Sequence, residues 1–371
     1  MSGDALVAQI RWTRARAAQW ALDQPWWVGC NFTPSTACNQ LEMWQPETFD
    51  PQTIARELGW ASHIGMNTVR VFLHDLVWQA DADGLKSRME TFLQLADAVG
   101  IRTMFVLFDD CWFPPVAGPQ AEPVPGVHNS RWAQSPGHDV VSDRTQWPRL
   151  QQYVCDIIDS FGQDERVCVW DLYNEPGNAI LPLASRPAYQ AVPLALTKLV
   201  RHGVLPSPTI PLLRATFEWA RSVNPIQPIT VGVWAPIPRL NRLQTACSDV
   251  ISFHHYQSAK SLRSRIETLK KAHGRPVICT EWMARPVGSR VETHLPVFQE
   301  QEVGCYCWGL VSGRTQTVHR WTDRPGTEAP EIWHHDLLRV DGSPFDGREV
   351  ELMQRLTAGH DQPARSSGVD A

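Results

Sequence analysis

The chain has 371 residues, enough to bury one large core or two modest ones. Apolar residues make up 43% and charged residues 20%, which excludes a disordered chain. A formal net charge of -5 gives neither nucleic acid nor an acidic membrane surface a reason to bind, and the longest apolar runs, such as "MFVLF" at 104–108, are far short of a membrane span.

Residues 1–25 read as an N-terminal helical segment without an apolar signal core, so a soluble, cytoplasmic protein is expected. From there short β-rich runs alternate with helical periodicity. "WWVGCNF" (26–32) precedes 50–65, where Ile54, Leu58, Ala61 and Ile64 keep one helix face. "NTVRVFL" (67–73) precedes a helix at 87–100, and "RTMFVLF" (102–108) leads to one at 147–162. "RVCVWDLYN" (166–174) is followed by helical stretches near 187–202 and 208–223. Then come "QPITVGVW" (227–234), "DVISFHHY" (249–256), a helix at 261–274, "RPVICTEW" (275–282) and "EVGCYCWGL" (302–310). Eight strands alternating mostly with helices predict a single-domain α/β fold, the (β/α)8 TIM barrel, over 26–359. A G-x-G-x-x-G turn after the first strand, which a dinucleotide fold would need, is missing.

Three long loops follow strands three, four and eight. The segment 109–146 is too long and too rich in Pro and Gly for an ordinary connection, and such loops form lids or binding walls. The insertion at 178–207 suits a lid and a partner interface equally, so a homo-oligomer stays open. The third runs from Ser312 to His335 and carries Trp321 and Trp333; residues 360–371 read as a flexible tail.

In a barrel the carboxyl ends of the strands face the active-site mouth. The strand boundaries place Glu175 at the end of strand four and Glu281 at the end of strand seven, so two carboxylates reach one cavity. Cleaving a glycosidic bond needs such a pair. Pro176 fixes its own φ and is expected to hold Glu175 extended; strict alternation would then aim Asn174 the other way, unless the strand breaks or bulges. Arg70 on an apolar strand needs a buried partner, for which Glu281 is the candidate.

Seventeen Trp, of which Trp44, Trp112, Trp234 and Trp308 sit near strand ends, suit sugar faces as well as cores. The nine Cys have no disulfide-framework spacing, and Cys305-x-Cys307, His254-His255 and His334-His335 lack the spacing of a zinc site, so neither metal nor organic cofactor is expected. "NFT" at 31–33 matches a glycosylation sequon and is discounted for want of a secretory signal.

These motifs give the chain a family likeness. It resembles the retaining (β/α)8 glycoside hydrolases of clan A, most of all family 5, the cellulase-like group, over roughly residues 26–310. "NEP" at 174–176 matches the acid/base motif and "TEW" at 280–282 the nucleophile strand. Arg70 matches the arginine that holds the nucleophile, His254 and Tyr256 the strand-six pair, and Trp308 the strand-eight sugar platform. The resemblance implies that Glu175 is the acid/base, Glu281 the nucleophile and Asn174 a ligand of the sugar 2-hydroxyl. Two departures stand out: "FDDCW" replaces a histidine after strand three, so Asp109 or Asp110, with Trp112, would take over sugar contacts, and Met283 replaces a glycine. The implied function is a retaining β-glycosidase acting on small β-glycosides or oligosaccharides. A catalytically inactive carbohydrate-binding barrel and a transglycosidase with the same carboxylates are the alternatives.

Overall fold

The computed structural model describes residues 11–178 and 208–358. The expected helix at 187–202, nearly all of the 178–207 insertion and the tail at 360–371 lie outside them. Each expected strand is present: β1 (Val28–Asn31), β2 (Thr68–Phe72), β3 (Arg102–Asp109), β4 (Val167–Asn174), β5 (Ile229–Thr230), β6 (Ile251–His254), β7 (Val277–Trp282) and β8 (Gly304–Trp308). All pairings are parallel, in the order β5-β4-β3-β2-β1-β8-β7-β6, and a parallel bridge between Val233 and Phe253 joins the two ends. The result is a nearly closed (β/α)8 barrel.

Periodicity explains the outer helices. In Pro51–His63 the residues Ile54, Leu58 and Ala61 are fully buried, while Asp50 caps the helix by accepting from the Thr53 amide at 3.0 Å and Pro51 opens it. Fully burying a residue such as Leu58 contributes about 1.5–3 kcal/mol. Helices Ala82–Ala98, Trp147–Phe161, Thr209–Ser222 and Ala259–His273 occupy the other expected stretches, and Arg14–Leu22 precedes the barrel. Helices Pro238–Cys247, Val291–Glu300 and Gly347–Thr357 were not expected. The first is short and polar, and the second contains Pro296, a residue that argues against a helix interior. None of the described helices is long and apolar enough to cross a membrane.

The strands bury one face against the helices. Inside the barrel a separate apolar cluster holds Trp27, Met104, Val169, Ile278 and Tyr306, and Trp20 of the first helix packs edge-on against Trp27 at 5.1 Å. At the carboxyl ends of the strands a third cluster, Phe72, Val106, Cys111, Trp132 and Trp308, supports the mouth. Register then sets polar residues side by side above it: Asn31 lies opposite both Arg70 and Trp308, Asp109 opposite Asn174, and His254 opposite Glu281.

Candidate active site

The end of β4 shows how two neighbours face one site. Asn174 is the last residue of the strand, but Glu175 takes φ 42°, in the left-handed region, so the chain turns at once. The expectation that Pro176 would hold Glu175 extended is therefore corrected: proline disfavours the right-handed helical region for its predecessor, and the turn uses the left-handed one instead. The bend is pinned on both sides. Trp234 Nε1 donates to the Pro176 carbonyl at 3.1 Å, and Asp110 accepts from the Gly177 amide at 2.6 Å, from Tyr173 Oη at 2.7 Å and from Thr209 Oγ1 at 2.8 Å.

Glu281 ends β7 with equal support. Register shifts at Phe253/His254 and after Cys279 bring His254 beside it. Arg70 Nη1 donates to Glu281 Oε1 at 3.2 Å and Tyr256 Oη to Oε2 at 3.0 Å. His254 Nδ1 stands between the two carboxyls, 2.8 Å from Glu175 Oε1 and 3.3 Å from Glu281 Oε2. One ligand atom from each of Glu175, His254 and Glu281 lies within 4.8 Å of the others, and these three form the sole such group among the described residues.

Arg70 ties the floor together. Fully buried, it also donates to Asp171 Oδ2 through Nε (3.0 Å) and Nη2 (2.8 Å), to Asn174 Oδ1 at 2.8 Å and to Asn31 Oδ1 at 2.7 Å. Its nearest anionic partner is Asp171, with Glu281 second. Asn31, the sequon residue, spends its amide on the Thr280 and Cys307 carbonyls.

Burial governs the charges. It pushes both Glu175 and Glu281 up to about 7, and it holds His254 down at about 4 and therefore neutral. Repulsion from Glu175 adds to the rise at Glu281, since two carboxylates this close resist joint ionisation. Arg70 opposes the rise at both carboxyls; among the described residues it bonds Glu281 directly, as does the Tyr256 hydroxyl, whereas Glu175 is bonded by Cys111 Sγ–H at 3.4 Å, the Asn178 amide and the shared imidazole. The direct hydrogen bonds of Arg70 and Tyr256 thus favour the anion at Glu281.

A cavity of about 500 Å³ opens over the pair. Asn174, Tyr256, Trp308, Trp112 and Trp234 line it, as do His128, Asn129 and Trp321 from the long loops. Trp44 is core instead, its indole donating to the Phe72 carbonyl. Asp109 and Asp110 do not reach the cavity, which corrects their expected role as sugar ligands. Each is 1% exposed and saturated by the protein: Asp109 accepts from Trp132 Nε1 at 2.7 Å, Asn174 Nδ2 at 3.0 Å and the Cys111 amide at 2.9 Å. Burial pushes the Asp109 carboxyl up to about 7. Both aspartates fix the residues that do face the cavity. Met283, where a glycine was expected, has φ 75°, the conformation glycine adopts most freely.

Sequence reasoning missed Asp171, Asn31 and Cys111, together with His128, Asn129 and His335 on the wall. Asp171 alone carried a signal, a charge in mid-strand two residues from an aligned arginine strand. None of the nine cysteines is joined in a disulfide.

No protein-family model and no curated protein matches the chain. Solved structures match its fold. GH5_18 from Streptomyces cattleya, in complex with Manβ1-4GlcNAc, superposes with a TM-score of 0.59 at 16% identity, over 90% of this chain and 82% of its own. The exo-β-1,4-mannosidase from Opitutaceae bacterium strain TAV5 gives 0.56 at 17% identity, over 89% of this chain and 59% of its own. The endo-β-1,4-mannanase from Thermotoga petrophila gives 0.52 at 13% identity, covering 91% and 78%. The chain shares the barrel fold of glycoside hydrolase family 5 members, as its motifs led us to expect.

Proposed function

We propose that this chain is a retaining β-glycoside hydrolase of the family 5 type, with Glu175 as acid/base and Glu281 as nucleophile. The observation that carries the reading is the pair itself: carboxyl oxygens of Glu175 and Glu281 lie within 4.8 Å of each other, and among the described residues only Glu281 forms an ion pair with an arginine. Retaining enzymes hold the two groups roughly 5–5.5 Å apart, whereas inverting ones keep roughly 6.5–9.5 Å to admit a water. An oxygen-to-oxygen approach within 4.8 Å supports the retaining reading.

The chemistry follows from the charges. Glu281, ionised beside Arg70 and Tyr256, attacks the anomeric carbon; Glu175, protonated, gives its proton to the departing glycosidic oxygen. The glycosyl ester formed on Glu281 carries no charge, so the repulsion on Glu175 falls and its pKa drops. Glu175 then takes a proton from water, whose oxygen attacks the anomeric carbon and displaces Glu281. Asn174, which lines the cavity and is held by Arg70 and Asp109, is the proposed ligand of the sugar 2-hydroxyl, and Trp308, also on the wall, the proposed platform for the ring. No step calls for a metal or an organic cofactor.

Substrate size follows from the walls. The strand-three and strand-eight loops are stitched together by Asn129 N–H to the Thr315 carbonyl (2.9 Å), Gln316 Nε2 to the Val124 carbonyl (2.8 Å) and Arg314 to Glu122 (2.9 Å). A cavity closed on that side suits short β-glycosides taken from one end. The discriminating experiment is Glu175→Ala with aryl β-glycosides of graded leaving groups. Loss of the acid should cost about 10²–10⁴-fold with poor leaving groups and far less with activated phenols. An equal loss across the series would remove Glu175 from the acid role.

A further inference from the structure

One wall of the cavity contains a polar side chain without a hydrogen-bond partner among the described residues. Asn129 lines the cavity, is 1% exposed, and neither Oδ1 nor Nδ2 has a hydrogen-bond partner among the described residues. Leaving a buried amide unpaired costs about 1–3 kcal/mol per group, so native proteins rarely keep one without use. Its backbone is held in the left-handed region (φ 47°) by the bond to Thr315 that joins the two loops. The protein thus spends both strain and desolvation to present this carboxamide.

Its neighbours are of one kind. His128 Nδ1 lies 2.9 Å from the His319 carbonyl and His335 Nδ1 lies 2.5 Å from the Met283 carbonyl. A carbonyl only accepts, so both Nδ1 atoms carry the proton and both Nε2 atoms are left as lone-pair acceptors. Burial keeps the two rings neutral, His128 at about 4 and His335 well below its ordinary value. The rings are 5.2 Å apart, and His335 lies 5.9 Å from the ring of Tyr256, whose hydroxyl holds Glu281. This end of the cavity therefore sits on the nucleophile's side, where the glycone binds.

Resting on the glycosidase reading, we propose that Asn129, with the acceptor nitrogens of His128 and His335, is the specificity-determining wall that reads hydroxyl donors on a neutral glycone. A hydroxyl supplies a donor to either imidazole and both donor and acceptor to the carboxamide. A uronic acid's carboxylate brings only lone pairs, which the two imidazole acceptors repel and which Asn129 Nδ2 alone can meet with a donor.

The test uses the full chain and needs no turnover. Saturation-transfer NMR and competition titrations compare methyl β-glycosides of neutral hexoses with the matching methyl β-uronides and deoxy analogues. Wild type should bind at least one neutral glycoside about ten-fold or more tighter than its uronide and than its deoxy analogue, and Asn129→Gly should erase most of the preference for the hydroxylated over the deoxy sugar. The melting temperature of Asn129→Gly should hold or rise, because glycine accepts the positive φ and the unpaired amide is gone. A lower melting temperature with unchanged sugar preference would make Asn129 merely structural and overturn the proposal. So would uronides binding as well as neutral sugars, or no sugar binding at all. Binding and discrimination without any cleavage would instead overturn the glycosidase reading and leave the wall standing.

Discussion

Arg70 is the residue on which the site's electrostatics turn. It touches Asp171, Asn174, Asn31 and Glu281 in full burial, so removing it strands two carboxylates together. Arg70→Met should destabilise the fold by about 3–5 kcal/mol, read as a lowered denaturant midpoint, and abolish turnover. Stability unchanged within about 0.5 kcal/mol would mean that Asp171 and Glu281 take up protons at no cost. Cys111 acts more gently. Its thiol donates to Glu175 Oε2 and favours the anion, so Cys111→Ala should raise the Glu175 pKa and move the basic limb of the pH–rate profile upward. A limb that moves down would contradict the assigned direction. Arg70 was legible as a buried charge in search of a partner. Cys111 was not, because its role depends on a turn of the chain that brings residues 111, 174 and 178 together.

At the scale of an element, the end of β4 is where local rules and tertiary structure part. Strand existence was readable from β-rich runs, and every strand but β3, which runs one residue further to Asp109, falls inside its expected span, because a buried parallel strand is a near-continuous apolar run. The geometry of the last two residues was not readable, since the left-handed turn at Glu175 is held by Trp234 and by Asp110, itself bonded by Tyr173 and Thr209, through contacts distant in sequence. Asp110 gathers most of those contacts. Asp110→Ala should leave three donors unpaired and loosen the Glu175 turn, lowering kcat about 10-fold or more with little change in KM, as expected when a side chain is displaced by about 1 Å. A loss confined to KM would mean that Asp110 serves substrate binding and not the acid. Helices with a clean stripe, such as Pro51–His63, were equally readable; Val291–Glu300 was not, because Pro296 reads as a breaker until packing overrides it.

For the whole molecule, the barrel brings the ends of strands four and seven, more than a hundred residues apart, onto one cavity, and the loops after strands three and eight close its side. Sequence supplied the two glutamates and the walls' existence, but not which wall residues face inward, because loop side chains follow no period. The carboxylate pair remains the central claim. Its most direct test is intact mass spectrometry of wild type and Glu281→Gln after incubation with activated 2-fluoro aryl β-glycosides. One glycosyl unit should add to wild type, map to Glu281 and be absent from the variant. An adduct on another residue, or turnover of the same sugars with inversion and no adduct, would contradict the account.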